Sequence, residues 1–352
     1  MSRPVKSFAI AGRDIGLQDP PYCIAEVGIN HNGDLAIAKR MIEVAKEAGA
    51  DAVKFQTFKA EEFCGDPAQL FTYQSQGKPI TESMLAMFQR YEFQPVHWHA
   101  IQAHCETVGI TFFSTPQNRS DLDFLLGMGV PAIKVGSDDF TNIPLLRSYS
   151  ECHLPLIISC GMSDLAEVHQ ALEAAGWFQG KPVALLLCTS QYPTPPEDVN
   201  IAKLTTLQQA FPGLLVGFSD HTQGALAAAL AVARGARIFE KHFTLDQDLP
   251  GPDHWFSENP MGLAEWLKTI RTADTLLGSP LVRPTKAELV SKKEFQRVIV
   301  AAKEIKAGEL FTPLNLTMRR VALGKGFLPS VYWDLLGRPA WRDFNKFSGI
   351  EL

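Results

Sequence analysis

Apolar residues along the chain gather in eight short runs, separated by segments with helical spacing. In order the runs are YCIAEVG (22–28), DAVKFQTF (51–58), ITFFSTP (110–116), AIKVGS (132–137), LIISCGM (156–162), VALLLCTS (183–190), LLVGF (214–218) and ARIFEKHF (236–243). Each is short enough for one buried strand, and near-continuous apolar strands belong to parallel sheets covered by helices. The segments 35–48, 97–108, 164–175 and 223–234 put apolar residues at i, i+3 and i+4, which predicts the covering helices. Strand, helix, strand at this spacing is a right-handed βαβ unit. Eight such units over roughly 260 residues predict an α/β fold of the TIM (β/α)8 type, with its active site at the C-terminal strand ends. A doubly wound open sheet competes with this reading, but no GxGxxG opens the chain and the count stops at eight.

Two stretches break the rhythm. Residues 59–96 are too long for a plain strand-to-helix connection, and their Gly, Pro and aromatic content predicts an excursion over the active end, or a dimer contact. Near residue 280 the composition turns to proline and lysine, which reads as a linker over 281–292. The boundaries predicted are a barrel over 1–280 and a small β-rich module over 293–352, with one helical piece at 331–336. Sixty residues make a marginal core, so the module is expected to dock on something larger.

Composition adds exclusions. The 352 residues are 46% hydrophobic and 20% charged, as in an ordinary globular protein, and a net charge of −5 leaves no electrostatic footprint for nucleic acid. The first residues, MSRPVKSFAIAGRDIG, lack the apolar core of a signal peptide, and no apolar run is long enough to span a membrane. Six cysteines without a CxxC or a framework spacing read as reduced thiols, so a cytoplasmic location is expected.

Polar residues recur at the strand ends: Glu26, Lys54 with Gln56, Ser114-Thr115, Lys134 with Ser137, Ser159, Thr189-Ser190, Ser219-Asp220-His221 and Lys241-His242. Lys54, Lys134 and Lys241 together predict a cationic cup, with the hydroxyls of Thr115, Ser137, Ser159 and Ser219 as donors for a small phosphorylated acid. Lys134 pairs equally well with a carboxylate in the barrel wall. A lone strand-end histidine is commonly a hydrogen-bonded core residue. His221 and His242, however, end strands about 4.8 Å apart if those strands are neighbours, which lets two imidazoles converge on one ion. Nitrogen with oxygen donors fits Mn²⁺, Co²⁺ or Fe²⁺, and Mg²⁺ less well. Asp138 and Asp139 suit the cap of the following helix, and His31, His97, His99 and His104 suit surface or structural roles.

Taken together, Ile24-Ala25-Glu26-Val27-Gly28-Ile29-Asn30-His31-Asn32-Gly33, Lys54-Phe55-Gln56, Ser114-Thr115-Pro116, Lys134-Val135-Gly136-Ser137, Cys188-Thr189-Ser190-Gln191-Tyr192-Pro193, Ser219-Asp220-His221-Thr222 and Pro250-Gly251-Pro252-Asp253 resemble the sialic acid synthase family. The tail resembles the family's C-terminal antifreeze-like SAF domain, a β-clip fold. The resemblance implies a metal-dependent condensation of phosphoenolpyruvate with an N-acetylated aminosugar of the N-acetylmannosamine type. The products are a nine-carbon 3-deoxy-ulosonic acid and phosphate. It further implies that His221 and His242 hold the metal, Mn²⁺ first and Co²⁺ or Mg²⁺ as alternatives. Lys54, Thr115, Ser137, Ser159, Ser190 and Ser219 would bind phosphoenolpyruvate. Glu26, Gln56, Tyr192, Asp253 and Arg320 would face the sugar, with Glu26 managing protons. The family pattern is a homodimer whose small domains are swapped onto the partner's barrel mouth. Two departures stand out. Some members carry Asn where this chain has Ser190, and many carry Lys-Arg-Pro-Gly where it has Arg319-Arg320-Val321-Ala322. Legionaminic or pseudaminic acid synthesis is the alternative activity, and a non-catalytic sugar- or phosphate-binding protein the rival in another class.

Overall fold

A computed structural model describes residues 7–321 and 325–352. The first six residues of the N-terminal stretch, and Ala322 in the tail, lie outside the described residues. The strands are β1 (Ser7–Ile10), β2 (Arg13–Gly16), β3 (Tyr22–Gly28), β4 (Ala52–Thr57), β5 (Leu70–Ser75), β6 (Lys78–Ser83), β7 (Thr111–Pro116), β8 (Ile133–Val135), β9 (Leu156–Ser159), β10 (Val183–Cys188), β11 (Leu215–Ser219), β12 (Ile238–His242), β13 (Val298–Ala301) and β14 (Leu316–Arg319). Eight of these, β3, β4 and β7 to β12, close into a parallel barrel in that order, with β12 pairing back onto β3. All eight predicted strands are present.

Alternation along each strand splits the apolar residues into two cores. Tyr22, Ile24, Ala52, Phe113, Ala132, Ile157, Ala184, Leu186, Leu215 and Ile238 fill the barrel interior. Residues of the opposite parity, such as Ala25, Val53, Phe55, Phe112 and Phe239, pack under the helices. Each fully buried Leu, Ile or Phe contributes about 1.5–3 kcal/mol. The helices form where predicted: Leu35–Ala48 starts at Asp34, whose carboxylate accepts from the Ala36 and Ile37 amides, and stops at left-handed Gly49.

Three features go beyond the sequence pattern. The β1–β2 hairpin places Ile10 and Ile15 in the interior cluster, so it plugs the barrel from below. Residues 59–96 form the antiparallel pair β5–β6 flanked by helices Ala60–Phe63 and Met84–Tyr91. The hairpin is tied to the loop after β12, because Gly251 N donates to Ser75 Oγ (3.1 Å) and Gln76 Nε2 to the Asp248 carbonyl (2.9 Å).

The chain divides at Gly278–Ser279. In the second unit β13 and β14 pair antiparallel, and Ile299, Ile305, Phe311, Phe344 and Ile350 form its core with the helix Tyr332–Leu335. Part of the stretch read as linker is helical. Lys286–Phe295 opens with a reciprocal Thr285–Glu288 capping box and buries none of its residues. Its apolar residues Leu289, Val290 and Phe295 are exposed and form no buried stripe, and the surrounding prolines and lysines read as a linker. Among the described residues, no helix is long and apolar enough to cross a membrane.

Candidate active site

Strand parity decides which side chains reach the barrel's C-terminal mouth. Inward positions run Ile24–Glu26, Ala52–Lys54–Gln56, Phe113–Thr115, Ala132–Lys134, Ile157–Ser159, Leu215–Gly217–Ser219 and Ile238–Glu240–His242. The apolar lower layer therefore gives way to a polar upper one. Gly217 keeps this set compact, since a Cβ there would meet the Ile238 carbonyl at 2.3 Å. The mouth is a cavity of about 390 Å³.

The cup is not simply cationic. Lys241 has the outward parity of Phe239, and its ammonium pairs with Asp220 (3.2 Å) and Glu258 (3.7 Å), away from the cavity. Asp220 is held in turn by the Trp266 indole N–H (2.9 Å). The lysine expected in the cup instead braces β11 against β12. In its place stands Glu240, which sequence reasoning missed although it lies two residues before His242 on the same face. Its carboxylate is 3.4 Å from both Lys54 and Lys134 and accepts from Ser219 Oγ (2.9 Å). Lys54 also touches Glu26 (2.9 Å) and Thr115 Oγ1 (2.9 Å). Lys134 donates to Ser159 Oγ (2.8 Å) and the Val135 carbonyl (2.9 Å). Two lysines and two glutamates are thus buried as one paired, hydrogen-bonded network, the condition under which charges are tolerated inside a barrel.

The two carboxylates are driven apart. Burial raises Glu26 above the usual carboxylate range and Glu240 adds to this, while Lys54 opposes it. Burial would raise Glu240 too, but Lys134 and Lys54 outweigh it and hold that carboxyl low. Gln56 Nε2 donates to Glu26 Oε1 (3.2 Å). A bulge between Glu26 and Gly28 turns the chain at left-handed Gly28, where a Cβ would sit 3.4 Å from Glu26 Oε1 and 3.5 Å from His242 Nδ1.

β11 and β12 are neighbours, and the two imidazoles come together with ring centroids 5.6 Å apart. His221 Nδ1 lies 2.8 Å from the Thr189 carbonyl, which makes that nitrogen a donor, so that in the neutral ring Nε2 carries the lone pair. His242 Nδ1 is buried without a hydrogen-bond partner. Burial and the neighbouring His221 push His242 well below the usual histidine range, so it is neutral. Burial also disfavours charge on His221, but Cys188, 3.8 Å from Nδ1, outweighs it and raises this group. An orphaned nitrogen on a neutral imidazole, in a ring beside that of a second histidine, fits a divalent ion. Among the described residues no three His, Cys, Asp or Glu side chains form a metal-binding group, so protein would supply two ligands.

Tyr192 covers the pair, 4.1 Å from the His221 ring and 4.9 Å from Phe256. Ser137 Oγ accepts from Gly161 N (2.9 Å), and a Cβ on Gly161 would meet Ser190 Oγ at 2.4 Å, so bare backbone lies between these two serines. Ser114 faces outward to Thr57 (2.7 Å), leaving Thr115 as the inward hydroxyl. The cap of Ile143–Glu151 is Asn142; Asp139 supports it (2.9 Å), and exposed Asp138 lines the cavity. His31 is fully buried and stacked on Phe93 at 4.2 Å, a structural position.

Of the thirteen residues that the family resemblance assigned to the site, eleven line this cavity, from Glu26 to His242, whereas Lys241 of the expected cationic cup does not. Asp253 does not. It sits in the adjoining loop, its carboxyl raised to about 6 by burial against an opposing effect of His221. Arg320 belongs to the second unit, exposed, with its guanidinium 5.6 Å from the Phe295 ring. Sequence reasoning also missed the cavity wall of Phe63, Phe71 and Phe88, because their excursion gave no strand-end signal.

Comparison with known proteins places this geometry among relatives. The model of the NeuB family matches residues 41–281, and that of the SAF domain matches 296–346. N,N'-diacetyllegionaminic acid synthase of Legionella pneumophila is 38% identical over 90% of this chain and 89% of its own. Human N-acetylneuraminate-9-phosphate synthase is 35% identical over 95% and 92%. The crystal structure of N-acetylneuraminic acid synthetase from Leptospira borgpetersenii matches with a TM-score of 0.73 at 30% identity, over 84% of this chain and 99% of that one.

Proposed function

The chain belongs to the NeuB family, and from that premise we propose that it condenses phosphoenolpyruvate with an N-acetylated aminosugar. The products are a nine-carbon 3-deoxy-ulosonic acid and phosphate. The observation that carries the reading is the Lys54–Glu240–Lys134 network beside the paired imidazoles of His221 and His242, in one cavity.

Lys54 and Lys134, with Thr115, Ser137, Ser159, Ser190 and Ser219, hold the phosphate and carboxylate of phosphoenolpyruvate by charge-assisted hydrogen bonds. His221 and His242 would hold a divalent cation, Mn²⁺ first and Co²⁺ or Mg²⁺ as alternatives, which supplies Lewis-acid polarisation of the acceptor's carbonyl oxygen. C3 of phosphoenolpyruvate bonds to the aldehyde carbon, and positive charge develops at C2. Water adds at C2 and loses a proton; the carbon–oxygen bond to phosphate then breaks. Glu26, held between proton states, moves protons for the water or a sugar hydroxyl. Gln56, Tyr192 and Asp253 orient the acceptor.

Arg320 completes the acceptor site from the partner subunit of a homodimer, the SAF domains being exchanged. The reaction is cytoplasmic. Mass spectrometry of products from phosphoenolpyruvate, Mn²⁺ and a panel of N-acetylated aminosugars tests the reading. A nine-carbon acid with equimolar phosphate supports it, whereas ligand binding without product favours a non-catalytic binding protein.

A further inference from the structure

The geometry points to Gln117 as a specificity residue whose side-chain carbonyl takes a hydrogen bond from a hydroxyl or acylamino N–H of the sugar; this rests on the synthase reading above. Gln117 lines the cavity, and its Oε1 is buried without a hydrogen-bond partner. Among the described residues three others lining the cavity carry such an atom, and each has an account. Glu26 Oε2 and Glu240 Oε1 lie 2.9 and 3.4 Å from the Lys54 ammonium, and His242 Nδ1 belongs to the proposed metal pair. The Gln117 amide has neither a charge beside it nor an ion to hold. A buried carbonyl oxygen left unpaired is costly, so its retention calls for a donor that arrives from outside the fold.

The strand sets where that oxygen stands. Phe113 and Thr115 face inward, and Gln117, two residues on, keeps the same parity. Its backbone N–H donates to the Thr57 carbonyl (3.0 Å), which carries the β4–β7 pairing one residue past the strand. Asn118 follows as the cap of the helix Arg119–Met128, its N–H bonded to Asp121 Oδ2 (2.9 Å). The backbone is thus fixed on both sides of Gln117, which gives the amide a rigid base. Thr115, joined to Lys54 at 2.9 Å, belongs to the layer assigned to phosphoenolpyruvate. Two residues of strand put Gln117 about 6–7 Å above it, at the level left for the sugar. Gln56, the other glutamine at the mouth, already donates to Glu26 Oε1 (3.2 Å). The neighbouring wall is apolar. Phe63 and Phe88 meet edge to face at 4.9 Å, and the helix Ala60–Phe63 is tied to the turn after Gln117 by Ser120 Oγ donating to Glu62 Oε2 (2.5 Å). Where most of a wall is apolar, one uncommitted polar group fixes the orientation of what binds.

The test uses the full-length protein, phosphoenolpyruvate, Mn²⁺ and two sugars, N-acetylmannosamine and a 2,4-diacetamido-2,4,6-trideoxyhexose. Gln117→Met and Gln117→Leu keep most of the bulk and remove the carbonyl oxygen. With whichever sugar the parent protein uses better, both variants should raise the KM for the sugar about five- to tenfold and leave the KM for phosphoenolpyruvate within about twofold. Without ligands their melting temperatures should equal or exceed that of the parent, because an unpaired buried polar group is gone. A structural amide behaves in the opposite way: the melting temperature falls and the KM for the sugar stays put. That outcome overturns the inference and leaves the synthase reading intact, as does an equal rise in both Michaelis constants. Sugar-dependent phosphate release absent from the parent protein with both sugars sinks the two together.

Discussion

Glu240 Oε2 lies 3.4 Å from Lys134 Nζ inside the barrel, and the other oxygen of the same carboxylate lies 3.4 Å from Lys54 Nζ. One carboxylate therefore compensates two ammonium groups that have no bulk water to do so. A dianion entering the cavity, as proposed for phosphoenolpyruvate, would compete with Glu240 for both lysines, so this side chain would set how tightly it is held.

Glu240→Gln keeps the shape and removes the charge, leaving Lys54 with Glu26 alone and Lys134 without a counter-charge. Breaking a buried pair costs about 3–5 kcal/mol, so the melting temperature of the free protein should fall by several degrees. Phosphate or phosphoenolpyruvate should then raise it by more than in the parent protein, because each restores the missing negative charge. Thermal melts with and without ligand check this. An equal ligand-induced shift in both proteins would remove Glu240 from the anion site.

Lys54 and Lys241 separate charge at the site from charge in the wall. Lys54→Ala should lose at least tenfold in kcat/KM, since a charge-assisted hydrogen bond contributes about 1.5–3 kcal/mol. Lys241→Ala leaves the buried Asp220 without its counter-charge and should lower the melting temperature, with the KM for phosphoenolpyruvate changed by less than about threefold. Steady-state kinetics with parallel melts distinguish them; a larger KM effect at 241 than at 54 contradicts the assignment.

The histidine pair should make turnover metal-dependent. Chelator should abolish activity and Mn²⁺ restore it, while His221→Ala and His242→Ala should each bind Mn²⁺ more weakly by calorimetry. Full activity of His221→Ala in metal-free buffer would falsify the metal assignment.

Much of this was legible in the sequence, and parity explains the exception. The strand runs and their order specify the barrel, and polar residues closing apolar runs specify the mouth. At β12 the sequence offers Glu240, Lys241 and His242 in succession, and only alternation from Ile238 says that the first and third face inward. Reading strand ends without parity selects Lys241 and overlooks Glu240. The β1–β2 hairpin was missed for another reason: four-residue strands around Ala11-Gly12 are too short to show a period. The phenylalanine wall comes from an excursion whose path depends on tertiary anchors, Ser75 to Gly251 and Gln76 to Asp248, that no local pattern encodes.

Glu26 should make anion binding pH-dependent. Burial and Glu240 raise its folded pKa above the usual carboxylate range. A dianion arriving at Lys54 favours the protonated form further, so binding should take up a proton. Affinity for phosphoenolpyruvate should accordingly fall as pH rises through the raised value. The linked stability has the same sign. The folded state binds more protons than the unfolded chain above about pH 4.3, so stability declines as pH rises through Glu26's range. Calorimetry in two buffers of different ionisation enthalpy measures the uptake. Glu26→Gln should abolish it, and an unchanged proton count in that variant would assign the titration elsewhere.

The last prediction concerns Arg320 and the second unit. Its core is small, and the exposed helix Lys286–Phe295 adds no buried residue to it. Arg320 offers five donors and a permanent charge, suited to clamping hydroxyl or carbonyl oxygens. If it serves the partner's barrel, cutting the chain after Gly278 should leave a folded protein that binds metal and phosphoenolpyruvate but makes little product. Arg320→Ala and His242→Ala should each be nearly inactive alone. In a mixed dimer of the two, the barrel with intact His242 receives its arginine from the subunit that still carries Arg320. One complete site forms, the other holds both defects, and activity should return to roughly a quarter of the parent value after statistical mixing of equal amounts. If Arg320 instead serves its own barrel, every site keeps one defect and mixing restores nothing. Absence of recovery, with mixed dimers confirmed by native mass spectrometry, would therefore count against exchange of the SAF domains.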